Sequence, residues 1–175
     1  MDFELTKEQK DIVSAAREFA EGEFTDRAEE FDRTETFDEA LYKRAADLGF
    51  VGTFIKEEYG GPGMGLLEYC LIFEEFSAVD PGIAVAILIS SYGAEIIQEF
   101  GSEEQKQHYL PPIVSGDAVM GSAFTEPDAG SDLAGATTST ALRNGDDFVI
   151  NGSKMFITNG DRADYLICFL VTDPE

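Results

Sequence analysis

The hydrophobic period of the sequence changes within the stretch SGDAVMGSAFT, residues 115–125. Before this stretch, apolar residues recur at the spacing of amphipathic helices. After it, short apolar runs alternate with turn residues, among them the hairpin signal Asn144-Gly145. A run of helices followed by a run of strands is typical of two domains. The sequence therefore predicts an α+β multi-domain fold, with an all-α helical bundle in residues 1–118 and an incomplete antiparallel β domain in residues 119–175.

The helical part contains one segment that is apolar nearly all round, Ile83 to Phe100, which predicts a central buried helix. Capping boxes at Thr6 and Ser102 predict where two other helices begin. The longest uninterrupted apolar stretch runs only from Ile83 to Ile89. A membrane-spanning helix needs roughly 20 apolar residues, so no membrane span is expected. The acidic start, Met1 to Glu4, lacks the order of a signal peptide, which favours a cytoplasmic protein.

The β part is short for the number of strands that its pattern predicts. These strands are Val119 to Thr125, Thr137 to Leu142, Phe148 to Ile150, Met155 to Thr158 and Tyr165 to Thr172. So many strands in so short a segment leave open sheet edges. The sequence ends at Asp173-Pro174-Glu175, directly after an apolar strand, which predicts a truncated or split protein.

The formal net charge is −23 at pH 7, from 35 acidic and 12 basic residues. Nucleic-acid phosphates require Lys and Arg, so this composition argues against a nucleic-acid-binding protein. This charge fits poorly with an anionic cofactor unless salt screens the repulsion. The acidic residues are spread along the chain and not gathered in a tail, which suggests a halophilic protein. No metal site is expected, because the possible ligands Cys70, Cys168 and His108 are too far apart in the sequence for metal-ligand spacing.

Two segments of the β part carry residue types suited to binding. The first, SAFTEPDAGSD (residues 122–132), is a strand that ends in a Gly/Ser turn. Such a turn leaves backbone N–H groups free and lets an anion approach closely, and the hydroxyls of Thr125 and Ser131 add donors. An ordinary exit from a strand into a loop explains the same pattern at least as well.

The second segment is NGSKMFITNG, residues 151–160. If residues 155–158 form a strand, Phe156 and Thr158 point to the same face and could line a flat ring with a polar edge. The alternative is an ordinary edge of a β core, and the pattern alone favours that alternative.

Taken together and in this order, the two segments resemble the acyl-CoA dehydrogenase family. The first matches the family signature T-E-P-x-A-G-S-D, and the second matches N-G-x-K-x-x-I-T-N. Three further stretches fit the family as well, namely Glu57 to Gly61, Phe100 to Lys106 and Tyr109 to Pro111. The resemblance covers essentially the whole chain. It implies the family's N-terminal α-helical domain in residues 1–118 and part of its middle, flavin-binding β domain in residues 119–175.

The resemblance also implies roles for individual residues around FAD. The cofactor-binding residues would be Ser122, Ala123, Phe124, Thr125, Gly130, Ser131, Phe156, Ile157 and Thr158. Thr125 would bind the polar edge of the isoalloxazine, whereas Gly130 and Ser131 would meet the pyrophosphate, with Ser131 also near the acyl-CoA. Phe156 would cover a ring face where many relatives have Trp, so contact area and an indole donor are lost. Asp128 occupies a position that is often small and neutral.

No catalytic residue is expected within residues 1–175. Glu126 invites the role of general base, but Pro127 follows it, as in a structural turn. In the family, the base comes from a later, C-terminal helical domain. The resemblance implies removal of two hydrogens from adjacent carbons of an acyl thioester, with acyl-CoA as substrate and an electron-transfer flavoprotein as partner.

Several interpretations of the chain remain open at this point. It is a fragment of a complete dehydrogenase, a natural half whose C-terminal domain comes from a second chain, or a non-catalytic FAD- or CoA-binding scaffold module. Part of a related flavin oxidase or monooxygenase is a further alternative. The family implies a homo-oligomer for the complete enzyme and a role in fatty acid metabolism. Acyl chain length and branching do not follow from these residues.

Overall fold

A computed structural model describes residues 4–173 of the chain. Met1 to Phe3, in the acidic start, and Pro174 to Glu175, at the end of the sequence, lie outside the described residues. The helices are α1 (Lys7–Glu23), α2 (Ala28–Thr34), α3 (Glu39–Asp47), α4 (Leu66–Val79), α5 (Pro81–Leu88), α6 (Ala94–Phe100), α7 (Glu103–Val114) and the short α8 (Leu133–Ala136). The strands are β1 (Met120–Ala123), β2 (Thr140–Asn144), β3 (Asp147–Asn151) and β4 (Tyr165–Cys168).

Local side-chain chemistry fixes the starts of the predicted helices. The Thr6 hydroxyl accepts from the backbone N–H of Gln9 at 3.2 Å, and the Gln9 side chain accepts from the Thr6 N–H at 3.0 Å. The same reciprocal pair joins Ser102 and Gln105 at the start of α7. Both capping boxes satisfy N–H groups that would otherwise lack partners, so the predicted helix starts are confirmed.

The core of the helical part is built around four phenylalanine rings. Phe76 of α4 lies at its centre, with ring centroids 5.5 Å from Phe19, 5.1 Å from Phe24 and 5.2 Å from Phe50. The Phe24 and Phe76 side chains are fully buried. Removing each such side chain from water stabilises the fold by roughly 1.5–3 kcal/mol, so this cluster ties α1, α4 and the chain after α3 together.

The apolar segment after Asp80 is two helices rather than the single helix predicted for Ile83 to Phe100. By length and composition alone, residues 81–100 could cross a membrane. The chain instead leaves α5 through a short 3₁₀ turn and breaks at Gly93, whose φ of 107° favours glycine. A Cβ at Gly93 would lie 2.6 Å from the Ile167 side chain of β4. The break therefore lies where the chain packs closely against the β part, and α5 contributes buried residues to the helical core.

The predicted α+β architecture is confirmed, and one detail of the β part differs. β2 and β3 pair antiparallel across Asn144-Gly145, as the hairpin signal indicated. β1 and β4, however, pair in parallel, with Met120 opposite Tyr165 and Ala123 opposite Cys168. The predicted antiparallel pairing thus holds for the hairpin, whereas the pair β1–β4 departs from it. Parallel pairing needs a long crossover, and the segment that contains α8 and the hairpin provides it.

The strand predicted for Met155 to Thr158 is absent from the described residues. Phe156 has a φ of 56° and Asn159 a φ of 60°, both in the left-handed region. These values are incompatible with an extended strand. The argument that strand geometry puts Phe156 and Thr158 on one face therefore fails.

Specific polar contacts join the helical part to the β part. The Ser122 hydroxyl of β1 donates to the Tyr92 carbonyl of the helical part at 2.8 Å. The Arg162 guanidinium lies 3.6 Å above the Phe37 ring and makes two hydrogen bonds to the Glu39 carboxylate, at 2.6 and 3.1 Å. This combination of a planar ion pair and a cation–π contact holds the chain after the second motif segment against α3.

Candidate functional site

The two motif segments lie side by side at the end of β1. The backbone N–H of Met155 donates to the Thr125 carbonyl at 2.9 Å. Further along, the Thr158 carbonyl oxygen lies 3.2 Å from where a Cβ at Gly121 would be. The second segment thus runs back along β1, with Met155 beside Thr125 and Thr158 beside Gly121.

Lys154, in the second segment, holds the two segments together through hydrogen bonds from its side chain. Its ammonium donates to the carbonyl oxygen of Phe124 at 3.0 Å, to Glu126 Oε1 at 2.7 Å and to the carbonyl oxygen of Phe169 at 2.7 Å. The side chain is 13% exposed. Sequence reasoning missed this residue, although it is the only lysine of residues 119–175 in a chain with a large excess of acids.

Glu126 forms the ion pair with Lys154, and its side chain faces the interior. Besides Lys154, its carboxylate accepts from the N–H of Thr138 at 2.8 Å, the hydroxyl of Thr138 at 2.7 Å and the N–H of Ser139 at 3.0 Å. The hydrogen bond from Lys154, followed by those from residues 138 and 139, holds the pKa of Glu126 well below its ordinary range. A carboxylate that is so weakly basic and so fully engaged is suited to structure, not to proton abstraction.

Beyond Glu126 the first segment forms a tight turn and then opens to solvent. Glu126 and Ala129 exchange backbone hydrogen bonds of 2.9 and 3.2 Å. Gly130 and Ser131 follow and are exposed, and a Cβ at Gly130 would meet nothing within 4 Å. Within residues 4–173, the backbone N–H groups of Gly130 and Ser131 have no protein acceptor. Asp132 next caps α8 by accepting from the Gly135 N–H at 3.0 Å.

The second segment presents its side chains at the surface. Phe156 is 85% exposed, Thr158 is exposed and Ile157 is half-buried. Asn159 anchors the end of the segment, because its side-chain amide donates to the Ala86 carbonyl of α5 at 3.0 Å. The left-handed conformation of Phe156 and this anchor place the ring outside the protein core.

Aromatic rings line the base of the first segment. Phe124 packs edge-on against Tyr92, with centroids 6.3 Å apart, and against Phe169, with centroids 6.1 Å apart. The Ser122 hydroxyl donates to the Tyr92 carbonyl at 2.8 Å, which fixes β1 to the end of the 3₁₀ turn. Ala123 is buried, and its carbonyl accepts from the Phe169 N–H at 3.2 Å.

The donor set at this surface fits a flavin dinucleotide. Within the described residues, the N–H of Thr125 has no protein acceptor, and the hydroxyls of Thr125, Ser131 and Thr158 make no protein hydrogen bond. Free N–H and O–H groups beside an exposed ring suit a flat ligand with polar edges, and the open space at Gly130 suits a phosphate. The Asp132 carboxylate of the same segment is already engaged with the protein, because it accepts from the N–H of Gly135 at 3.0 Å.

Two family models match this chain, one in each part. The model of the acyl-CoA dehydrogenase N-terminal domain matches residues 6–117, and that of the middle domain matches residues 121–175. A short-chain-specific acyl-CoA dehydrogenase of Clostridium acetobutylicum is 43% identical over 174 residues, which cover 99% of this chain and 46% of that protein.

Solved structures are similar over the same range. A chain described as the electron transferring flavoprotein of Acidaminococcus fermentans superposes with a TM-score of 0.90 and 44% identity, covering 99% of this chain and 46% of that one. A glutaryl-CoA dehydrogenase of Mycobacterium smegmatis in complex with FADH2 gives a TM-score of 0.90 at 34% identity, covering 97% and 44%. The chain thus spans about half the length of these relatives. With both family models matched in sequence order and the same fold in these structures, this chain belongs to the acyl-CoA dehydrogenase family.

Proposed function

We propose that this chain forms part of an FAD-dependent acyl-CoA dehydrogenase that introduces an α,β double bond into an acyl-CoA thioester. Residues 1–118 would be its N-terminal helical domain, and residues 119–175 would be part of its middle, flavin-binding β domain. The observation that carries the proposal is the junction at Lys154 and Met155, which brings the two motif segments into one surface. FAD is the cofactor that family membership and the FADH2 complex of a relative support.

The residues of this surface would hold FAD through their free donors. Thr125 would donate from its N–H and hydroxyl to the polar edge of the ring system, while Ser122, Ala123 and Phe124 shape the strand beneath it. Gly130 and Ser131 would donate N–H groups to the pyrophosphate. When bound, FAD supplies the two-electron acceptor for oxidation of the acyl group.

The second segment would complete the same pocket. The exposed ring of Phe156 would lie over a face of the flavin, and Ile157 would pack beneath it. The Thr158 hydroxyl would donate to the cofactor from beside Gly121. Ser131 would also contact the acyl-CoA, because it is exposed at the end of the first segment.

The proton from the substrate α carbon would be taken by a base outside residues 1–175. Glu126 is occupied by four hydrogen bonds and has a lowered pKa, so it is not available for that step. We therefore expect a protein made of residues 1–175 alone to be inactive. The base would come from a C-terminal domain in the same protein or in a second chain.

The remaining parts of the proposal concern partners and surroundings. An electron-transfer flavoprotein would receive the electrons, and the complete enzyme would be a cytoplasmic homo-oligomer that acts in fatty acid metabolism. A net charge of −23 supports adaptation to high salt. Stability and solubility that do not change between low and molar salt would contradict this halophilic part.

Two measurements test the proposed function. The purified protein, in the length in which it occurs naturally, should bind FAD with a visible flavin spectrum and oxidise acyl-CoA in the presence of an artificial electron acceptor. Residues 1–175 alone should give no turnover under the same conditions. A colourless protein that ignores added FAD would support the scaffold alternative. Reduction of oxygen in place of the artificial acceptor would support a related flavin oxidase.

A further inference from the structure

In the peptide group that joins Phe124 to Thr125, the carbonyl oxygen is hydrogen-bonded and the N–H is not, within the described residues. Its carbonyl oxygen accepts from the Lys154 ammonium at 3.0 Å. A trans peptide group is planar, so its N–H points away from its C=O. The N–H of Thr125 therefore points away from Lys154. That N–H has no acceptor within residues 4–173, although Met155 binds the next carbonyl, that of Thr125, at 2.9 Å.

The position of the ammonium is itself fixed. Glu126 accepts from Lys154 at 2.7 Å and is anchored by the two N–H groups of Thr138 and Ser139. The Phe169 carbonyl, just after β4, binds the same ammonium at 2.7 Å. The orientation of the Phe124–Thr125 peptide thus depends on an ion pair in which the Glu126 side chain is 2% exposed and the Lys154 side chain 13% exposed.

We propose that Lys154 is a positioning residue that aims the free N–H of Thr125 at the flavin and polarises this donor through the Phe124 carbonyl. The proposal rests on the proposed function, because it needs a flavin at this surface. A positive charge on a peptide oxygen withdraws electron density from the peptide nitrogen, so the N–H becomes a stronger donor. Lys154 would act on the cofactor without touching it.

A purely structural role for Lys154 makes a different prediction, and a double variant separates the two. Lys154→Met leaves Glu126 charged and unpaired in the interior, which destabilises the fold. Lys154→Met combined with Glu126→Gln removes both charges, so stability should largely return. The Phe124 carbonyl still lacks its cation in this double variant. We expect its affinity for FAD to remain about tenfold below that of the native protein, with a shifted flavin absorption spectrum.

The matched control is Lys43→Met. The Lys43 ammonium also binds a backbone carbonyl, that of Ser115 at 2.6 Å, and a carboxylate, Asp117 Oδ1 at 2.8 Å, but it lies away from the site. This variant should leave FAD affinity and the flavin spectrum unchanged. All variants are made in the native, flavin-loaded protein. FAD affinity is measured by titration, and unfolding is measured separately.

Amide hydrogen exchange at Thr125 in the unaltered protein gives a second readout that does not depend on variants folding. FAD should slow this exchange if the N–H donates to the cofactor. The positioning role is overturned if the double variant binds FAD with native affinity and spectrum, or if bound FAD leaves the exchange at Thr125 unchanged. A native protein that does not bind FAD at all would instead refute the proposed function.

Discussion

The helical part and the β part of this molecule are held together by different kinds of interaction. In the helical part, Phe76 is fully buried among three other rings. In the β part, every residue of β3 is exposed, including Phe148 at 56% and Ile150 at 61%. The functional segments there are fixed by charged and polar contacts instead. An apolar body thus carries a candidate binding surface whose shape depends on a few hydrogen bonds.

The largest expected effect tests the apolar side of this contrast. Phe76→Ala should lower the free energy of unfolding by about 3–5 kcal/mol, because it removes a ring from the centre of the core and leaves a cavity. Urea unfolding followed by circular dichroism measures the loss. A loss below about 1 kcal/mol would show that the four-ring cluster is not the main core.

Because charged and polar contacts hold the β part, its stability should depend on pH. The pKa of Glu126 is lowered from an ordinary value of 4.5, so its stabilisation is present above that value and is lost as the pH falls below it. Limited proteolysis at a pH of about 7 and of about 3 should show acid-induced cleavage first in residues 119–173.

Glu126→Gln should weaken this acid dependence, because the titrating group is gone. Asp117→Asn is the matched control: its carboxylate also binds a lysine and has a lowered pKa, but it is 65% exposed and outside the motif segments. An unchanged acid profile in Glu126→Gln would show that another carboxylate controls the loosening.

The stability of the contact between the helical part and the β part should depend on the planar shape of the Arg162 guanidinium. Arg162→Lys should cost about 1 kcal/mol, because an ammonium cannot both pair with Glu39 in two places and cover the Phe37 ring. The control is Arg17→Lys in the helical part, where Arg17 makes a similar two-point pair with Glu75 but is 56% exposed. Urea unfolding of the two variants should show a clearly smaller loss for the control.

The smallest expected effect concerns the exposed hairpin. Phe148→Ser should change the free energy of unfolding by no more than about 0.5 kcal/mol, because the ring is 56% exposed and its replacement removes little buried apolar surface. The same urea unfolding as for Phe76→Ala checks this expectation. A much larger loss would show that another segment or another copy covers β3 in solution.

The features that were predicted from the sequence are those that short-range chemistry determines. The capping boxes at Thr6 and Ser102 need only residues three positions apart, and the Asn144-Gly145 turn needs only its own backbone preference. The family signatures likewise located the two segments that meet at the surface. The flavin contacts of the individual residues stay predictions.

The features that sequence reasoning missed depend on distant residues. Gly93, where the helix breaks, packs closely against Ile167, and parallel pairing of β1 with β4 requires knowledge of where the crossover returns. The left-handed Phe156 has no local signal, because the pattern around it reads as an ordinary strand. Lys154 contacts residues up to 30 positions away, so only the folded chain shows its role.

The break at Gly93 has a consequence for how the two parts fit. A Cβ there would lie 2.6 Å from Ile167 and 3.3 Å from the sulfur of Met120, so even alanine would act as a wedge between the helices and the parallel strand pair. A larger residue at position 93 would displace β1 and β4, the strand pair that leads into Thr125, and so would misalign the proposed flavin-binding surface without altering a single residue in it.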